Sequence, residues 1–208
     1  MATTSGALPL HGLSIVEVPS EECSEEEMIG CVFDVEATGL RPHMLRDPDA
    51  RIHCLMAQEF TYEEATGITL GARREFYDVS LDVQGDEWEY MGRLDGVPAY
   101  LNDMSAICGH GIIDYDLPIL RHHLAYKPKC QIVDSLVISR KNFPDRHGGH
   151  SVDSWGARLG MVKPKQNDWS EMNEDVRHRC REDVAIEMQL LQVVLQEMKE
   201  GVEKCQLM

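Results

Sequence analysis

Ile29-Gly30-Cys31-Val32-Phe33-Asp34-Val35-Glu36-Ala37-Thr38-Gly39-Leu40 is the stretch on which the reading of this chain turns. A compact apolar run that becomes acidic at its end and is closed by glycine describes a buried strand delivering carboxylates to its C-terminal edge. Residues two apart in a strand share a face, so Asp34 and Glu36 can converge on one metal-binding spot.

Outward from that strand, Arg51 to Phe60 reads as a second. Ile68 to Tyr77, past the turn Ala65-Thr66-Gly67, reads as a third, giving a meander. Trp88 to Leu101 is predicted as a helix. Ile107 and Cys108 begin a short buried strand, and Asp116 to Leu124 is a helix that tolerates Pro118 in its first turn. Gln131 to Val133 makes a fifth strand, followed by a helix through Leu136 and Ile138 and another from Ser151 to Leu159 ended by Gly160. In the last helix, from about Asn173 to Met198, Val184, Met188, Leu191, Val194, Leu195 and Met198 recur at three- and four-residue steps. The pattern predicts an α/β fold with a mixed five-stranded sheet flanked by helices.

The 208 residues suit one domain, assigned to 28–208. Residues 1–27 are expected to form an acidic, flexible arm, since Glu21, Glu22, Glu25, Glu26 and Glu27 repel one another. Apolar runs are too short to span a bilayer, the start lacks a signal-peptide pattern, and seven scattered cysteines without a C-x-x-C pair point to a reducing, cytoplasmic setting. A net charge of −16 disfavours a passive nucleic-acid binder but suits an enzyme that reaches phosphate through divalent cations held by carboxylates. From Arg121 to Lys165 nine basic residues, Arg140, Lys141, Lys163 and Lys165 among them, meet three acids. That net +6 is either a solvated surface or one wall of a strand-binding groove.

Two further acidic elements follow. Gly109-His110-Gly111-Ile112-Ile113-Asp114-Tyr115-Asp116-Leu117-Pro118 offers Asp116 at a helix start, with Asp114 competing. His178-Arg179-Cys180-Arg181-Glu182-Asp183 places an acid on the last helix. Together with Asp34-x-Glu36-x-Thr38-Gly39-Leu40, these elements resemble the DEDD (DnaQ-like) 3′–5′ exonuclease superfamily. Its first motif is D-x-E-x-T-G-L, its second an aromatic-Asp pair that Tyr115-Asp116 fits, and its third either His with four intervening residues or Tyr with three. His178 has the His-type spacing, and Arg179 stands at the Tyr-type position. Gly111 occupies the place where many families carry Asn.

Val133-Asp134-Ser135-Leu136-Val137-Ile138-Ser139-Arg140 and His150-Ser151-Val152-Asp153-Ser154-Trp155-Gly156-Ala157-Arg158-Leu159-Gly160 are similar to segments of the exonuclease domains of family A DNA polymerases from short-tailed phages. Those domains carry the Tyr-type motif, so the chain looks like a freestanding, His-type relative of a proofreading domain.

The resemblance implies a ribonuclease H-like fold and two Mg²⁺ (or Mn²⁺) ions. Asp34 would bridge both, Glu36 and Asp183 would complete the first, and Asp116 would serve the second. His178 would be general base, and Thr38, Gly39 and Leu40 would receive the terminal nucleotide. From the residues themselves, Arg140 and Lys141 of the basic stretch are expected to contact the strand, and Tyr115, Trp155 and Trp169 are candidates for base stacking, with core packing the favoured role for Trp155. The implied partner is nucleic acid, foremost a single-stranded or frayed DNA 3′ end, with a DNA polymerase as a possible associate. An RNA-trimming exoribonuclease and a non-catalytic binding module remain the alternatives.

Overall fold

The computed structural model describes residues 28–63, 66–79, 87–166 and 168–206. The acidic arm expected over 1–27 lies outside them. Among the described residues six strands, β1 (Met28–Ala37), β2 (Ile52–Glu63), β3 (Gly67–Tyr77), β4 (Trp88–Gly92), β5 (Ala106–Gly109) and β6 (Gln131–Asp134), form one mixed sheet in the order β4-β3-β2-β1-β5-β6. β1 pairs antiparallel with β2 and parallel with β5, so the acidic strand is central. The helices are α1 (Arg41–Met44), α2 (Val97–Asn102), α3 (Asp116–Leu124), α4 (Ser135–Asn142), α5 (Val152–Leu159) and α6 (Glu174–Gln206).

Alternation along β1 separates two cores. Cys31, Phe33 and Val35 pack with Leu101 of α2 and Ile119 and Leu120 of α3. Val32, on the opposite face, packs with Trp155 of α5 and Ile186 and Leu190 of α6. Farther along the sheet, Cys54 and Met56 of β2 meet Val176, Cys180 and Val184 of α6. Asp34 and Glu36 share the Val32 face and therefore point toward α6. α6 spans the sheet from site to far end and starts where the Asn173 side chain accepts the Val176 N–H at 3.0 Å.

The sheet has one strand more than expected. Trp88 to Leu101 is not one helix: Trp88–Gly92 is an edge strand parallel to β3, and a 3-10 turn at Leu94–Gly96 leads into α2. Alternation of contacts accounts for this. Tyr90 stacks on Tyr77 with ring centroids 4.7 Å apart, while Glu89 pairs with Arg74 of β3. Cross-strand partners of that kind decide a short aromatic segment that local periodicity leaves open.

An anchor joins α6 to β3. Glu75 is fully buried, and its carboxylate accepts from Arg177 (2.7 and 3.1 Å), Arg181 (2.5 and 3.1 Å) and the Tyr77 hydroxyl (3.1 Å). The two arginines stand one turn apart on α6, bracketing Cys180.

Candidate metal centre

Asp34, Glu36 and Asp183 each offer a carboxylate oxygen, and these oxygens lie within 4.8 Å of one another. Two come from the β1 edge and the third from α6. The β1–β2 register shifts between Glu36 and Ala37, just past the pair, and the ladder ends on Ala37 opposite Ile52. Asp116 opens α3 at the opposite side of β1, and its Oδ1 accepts the Val35 N–H at 3.2 Å, between the two β1 acids.

The loop that carries Asp116 is held from β6. Asp134 accepts from the backbone N–H groups of Gly111 (2.9 Å) and Ile113 (3.1 Å), and also caps α4 through Leu136 (3.0 Å) and Val137 (3.4 Å). Gly111 has φ +83°, a left-handed conformation open to glycine and asparagine. Asp114 forms no part of the acidic trio.

The carboxylates strain against one another electrostatically. Burial, then the charge of Asp183, pushes Asp34 up to about 7. Glu36 is pushed up to about 10 by burial and then by Asp34. Asp116 is raised well above the usual range by burial and Asp34, and Asp183 is raised by burial. Part of the counter-charge comes from the chain itself. Lys163 Nζ sits 2.8 Å from Asp183 Oδ2, and Arg179 Nε is 3.2 Å from the same oxygen and 4.0 Å from Glu36. The Cys180 thiol lies 3.4 Å from Asp34 Oδ2.

A divalent ion fits this place. The donors are hard carboxylate oxygens, as Mg²⁺ and Mn²⁺ prefer. Asp183 Oδ1 is buried without a hydrogen-bond partner among the described residues, an arrangement that costs free energy unless a cation satisfies it.

The other expected site residues divide. Tyr115 is half-buried, its hydroxyl donating to Gly39 O at 2.8 Å, which ties the second motif to the first. Thr38 Oγ1 accepts from the Arg51 N–H at 3.1 Å, and Leu40 is 78% exposed beside the acidic edge. Arg140 and Lys141 are exposed in the last turn of α4 and make no ion pair with the carboxylates. Trp155 is a core residue, with Arg146 and Arg158 over its ring at 4.5 and 4.9 Å. Trp169 packs at the edge of the α6 core, its carbonyl 2.8 Å from His53 Nε2.

His178 is not brought to the cluster. Its side chain is 62% exposed and lies 4.0 Å from Glu182, while Arg179 takes the inward place one turn before Asp183. Three residues near the acids were not foreseen there: Lys163, placed in the basic stretch as surface or groove wall, Arg179 and Glu187. Helical spacing from Asp183, four residues in either direction, was the available signal for the last two.

No family model matches the chain, and no curated protein matches it in sequence. Solved structures do match in fold. They include a family B DNA polymerase from the hyperthermophilic archaeon Pyrobaculum calidifontis (TM-score 0.54, 15% identity), covering 84% of this chain and 25% of that one. The chain thus spans about a quarter of the polymerase. The apo form of a nuclease matches with TM-score 0.53 and 13% identity, covering 83% of this chain and 74% of the nuclease. Brucella melitensis NrnC with bound Mg²⁺ matches with TM-score 0.51 and 15% identity over 85% of this chain and 77% of that one. At these identities the likeness concerns the fold, and it bears out the ribonuclease H-like architecture, with six strands in place of five.

Proposed function

We propose that this chain is a metal-dependent 3′–5′ exonuclease acting on DNA ends, single-stranded or frayed, and releasing nucleoside monophosphates. The observation that carries the reading is the meeting of Asp34, Glu36 and Asp183 within 4.8 Å, from segments some 150 residues apart, with Asp116 bonded at Val35 beside them. Nuclease and polymerase structures of like fold support it, as does the Mg²⁺ bound in one of them. So does the motif resemblance to the DEDD superfamily and to phage family A proofreading domains.

Asp34, Glu36 and Asp183 would hold one divalent ion, and Asp34 with Asp116 the other. Such ions activate water as a nucleophile and neutralise charge on the leaving oxygen. Thr38, Gly39 and Leu40, past the end of the acidic strand, would receive the terminal nucleotide, with exposed Leu40 against the end base and Tyr115 behind Gly39. The basic face of Arg140 and Lys141 would track the strand. His178 enters as proton acceptor through its spacing alone, a role that requires the first turns of α6 to bring it inward. No helix among the described residues is long and apolar enough to cross a membrane.

The test uses 5′-labelled DNA and RNA oligonucleotides with Mg²⁺, Mn²⁺ or EDTA. A DNA ladder shortening from the 3′ end is expected, lost in EDTA and in Asp34→Asn and Asp183→Asn. Full activity in either variant overturns the assignment, and a preference for RNA moves the substrate to the exoribonuclease alternative. His178→Ala should slow cleavage by about 100-fold, the scale of general-base loss. An unchanged pH–rate profile removes His178 from the mechanism.

A further inference from the structure

Glu187 lies one turn beyond Asp183 on α6, so the two side chains share a face of the helix. It is 2% exposed, and its Oε2 has no hydrogen-bond partner among the described residues. Ile186 and Leu190 beside it are fully buried in the apolar core. Glu187 is therefore a carboxylate at the boundary between that core and the acidic cluster.

Its location across the sheet follows from Gly109, the last residue of β5. A Cβ on Gly109 would stand 3.6 Å from Glu187 Oε2 and 2.8 Å from the carbonyl oxygen of Phe33, the residue before Asp34. The Glu187 carboxylate thus reaches the β5–β1 seam where a side chain at position 109 would otherwise intrude. Its carboxyl is raised by burial first, and then by Asp34, Asp116 and Asp183 in that order. A glutamate serving only to fill space here would leave a buried acceptor unmatched, a cost that a leucine would not incur.

We propose that Glu187 is a fifth carboxylate of the site, approaching a bound divalent cation from the core side together with Asp34 and Asp116. The inference rests on the metal-nuclease reading above. A further negative oxygen raises the charge on offer to the ion that Asp34 and Asp116 share, and adds a ligand that solvent cannot displace. It also gives the orphaned Oε2 a partner.

The experiment is a Mn²⁺ titration followed by electron paramagnetic resonance, on wild type, E187Q, E187M and D183N, with melting temperatures in EDTA. Wild type is expected to bind two ions. E187Q and E187M should weaken one of them at least about tenfold, the lower end of what loss of a supporting carboxylate costs a metal site. D183N should weaken the other. In EDTA both Glu187 variants should melt no lower than wild type, because a carboxyl crowded by three others has been replaced by a neutral group. Two ions at wild-type affinity in E187Q and E187M overturn the role of Glu187 and leave the nuclease reading standing. No Mn²⁺ bound by wild type overturns both. If neither Glu187 variant folds, the residue is a structural anchor and the proposal falls.

Discussion

Glu75→Gln is expected to lower stability by about 3 kcal/mol, because the Glu75 carboxylate is what fastens the start of α6 to the sheet. Glu75 is fully buried, and the side chains of Arg177 and Arg181 are 5% and 14% exposed. Removing one partner of a buried ion pair costs about 3–5 kcal/mol, since the other charge is left desolvated. The lower end applies here. Arg177 keeps Glu174 at 3.2 Å, and Arg181 keeps the face of Trp88 with its guanidinium carbon 5.1 Å from the ring centroid. For a domain of this size each kcal/mol moves the melting temperature by about 2–4 °C, so the fall should be about 6–12 °C.

Circular dichroism melts and urea titrations would measure it, the midpoint shifting with little change in slope. Replacing all three groups together, by E75M with R177M and R181L, should recover most of the loss, as apolar side chains of similar size pay no desolvation penalty. A melting temperature for Glu75→Gln within about 2 °C of wild type would refute the anchor: the arginines would then be held by other contacts or by water.

Two further outcomes follow from the acids. Asp34, Glu36 and Asp183 hold protons in the folded chain at pH values where the unfolded chain has released them, the shift carrying Asp34 to about 7 and Glu36 to about 10. Their contribution to stability is therefore present at low pH and lost as pH rises from about 4, the ordinary carboxylate range, through 7 and beyond. In EDTA the melting temperature should fall between pH 5.5 and pH 8 by more in wild type than in Asp34→Asn, and Mg²⁺ should restore it more at pH 8. Equal falls in the two proteins would contradict the electrostatic account. Lys163→Met should tighten Mg²⁺ binding about tenfold, because a charge-assisted contact of roughly 1.5 kcal/mol with Asp183 no longer competes with the ion. Unchanged or weaker binding, read by calorimetry, would show that Lys163 is no competitor.

The central strand was legible from its own residues, since one apolar run ending in two acids admits few other readings. The register of Asp116 was legible as well, because Tyr115 and Leu117-Pro118 distinguish it from Asp114. β4 was not. Trp88-Glu89-Tyr90-Met91-Gly92 owes its conformation to Arg74 and Tyr77 on a neighbouring strand, a long-range cause that no local window contains. His178 shows a second kind of limit. A spacing of five residues matches a motif, yet at 100° per residue a helix running through both positions turns His178 about 140° away from Asp183. Glu187 was hidden by the opposite effect: among polar residues of a long amphipathic helix it reads as solvent face, and only the packing of α6 on β1 and β5 shows it pointing inward.

The position of β1 has a consequence for how the protein opens. Asp34 and Glu36 ride on a central strand that β2 pairs past both acids and β5 pairs as far as Val32, with a core on each face, so β1 belongs among the last segments to exchange its amides for deuterium. Past the register break the pairing closes with Ala37 opposite Ile52 and the Thr38 N–H on the Arg51 carbonyl at 3.0 Å, and Leu40 beyond them is mostly in solvent. A slow-exchanging strand that carries the acids thus adjoins a solvent-exposed rim at Leu40. Local opening of that rim leaves the carboxylates in their places.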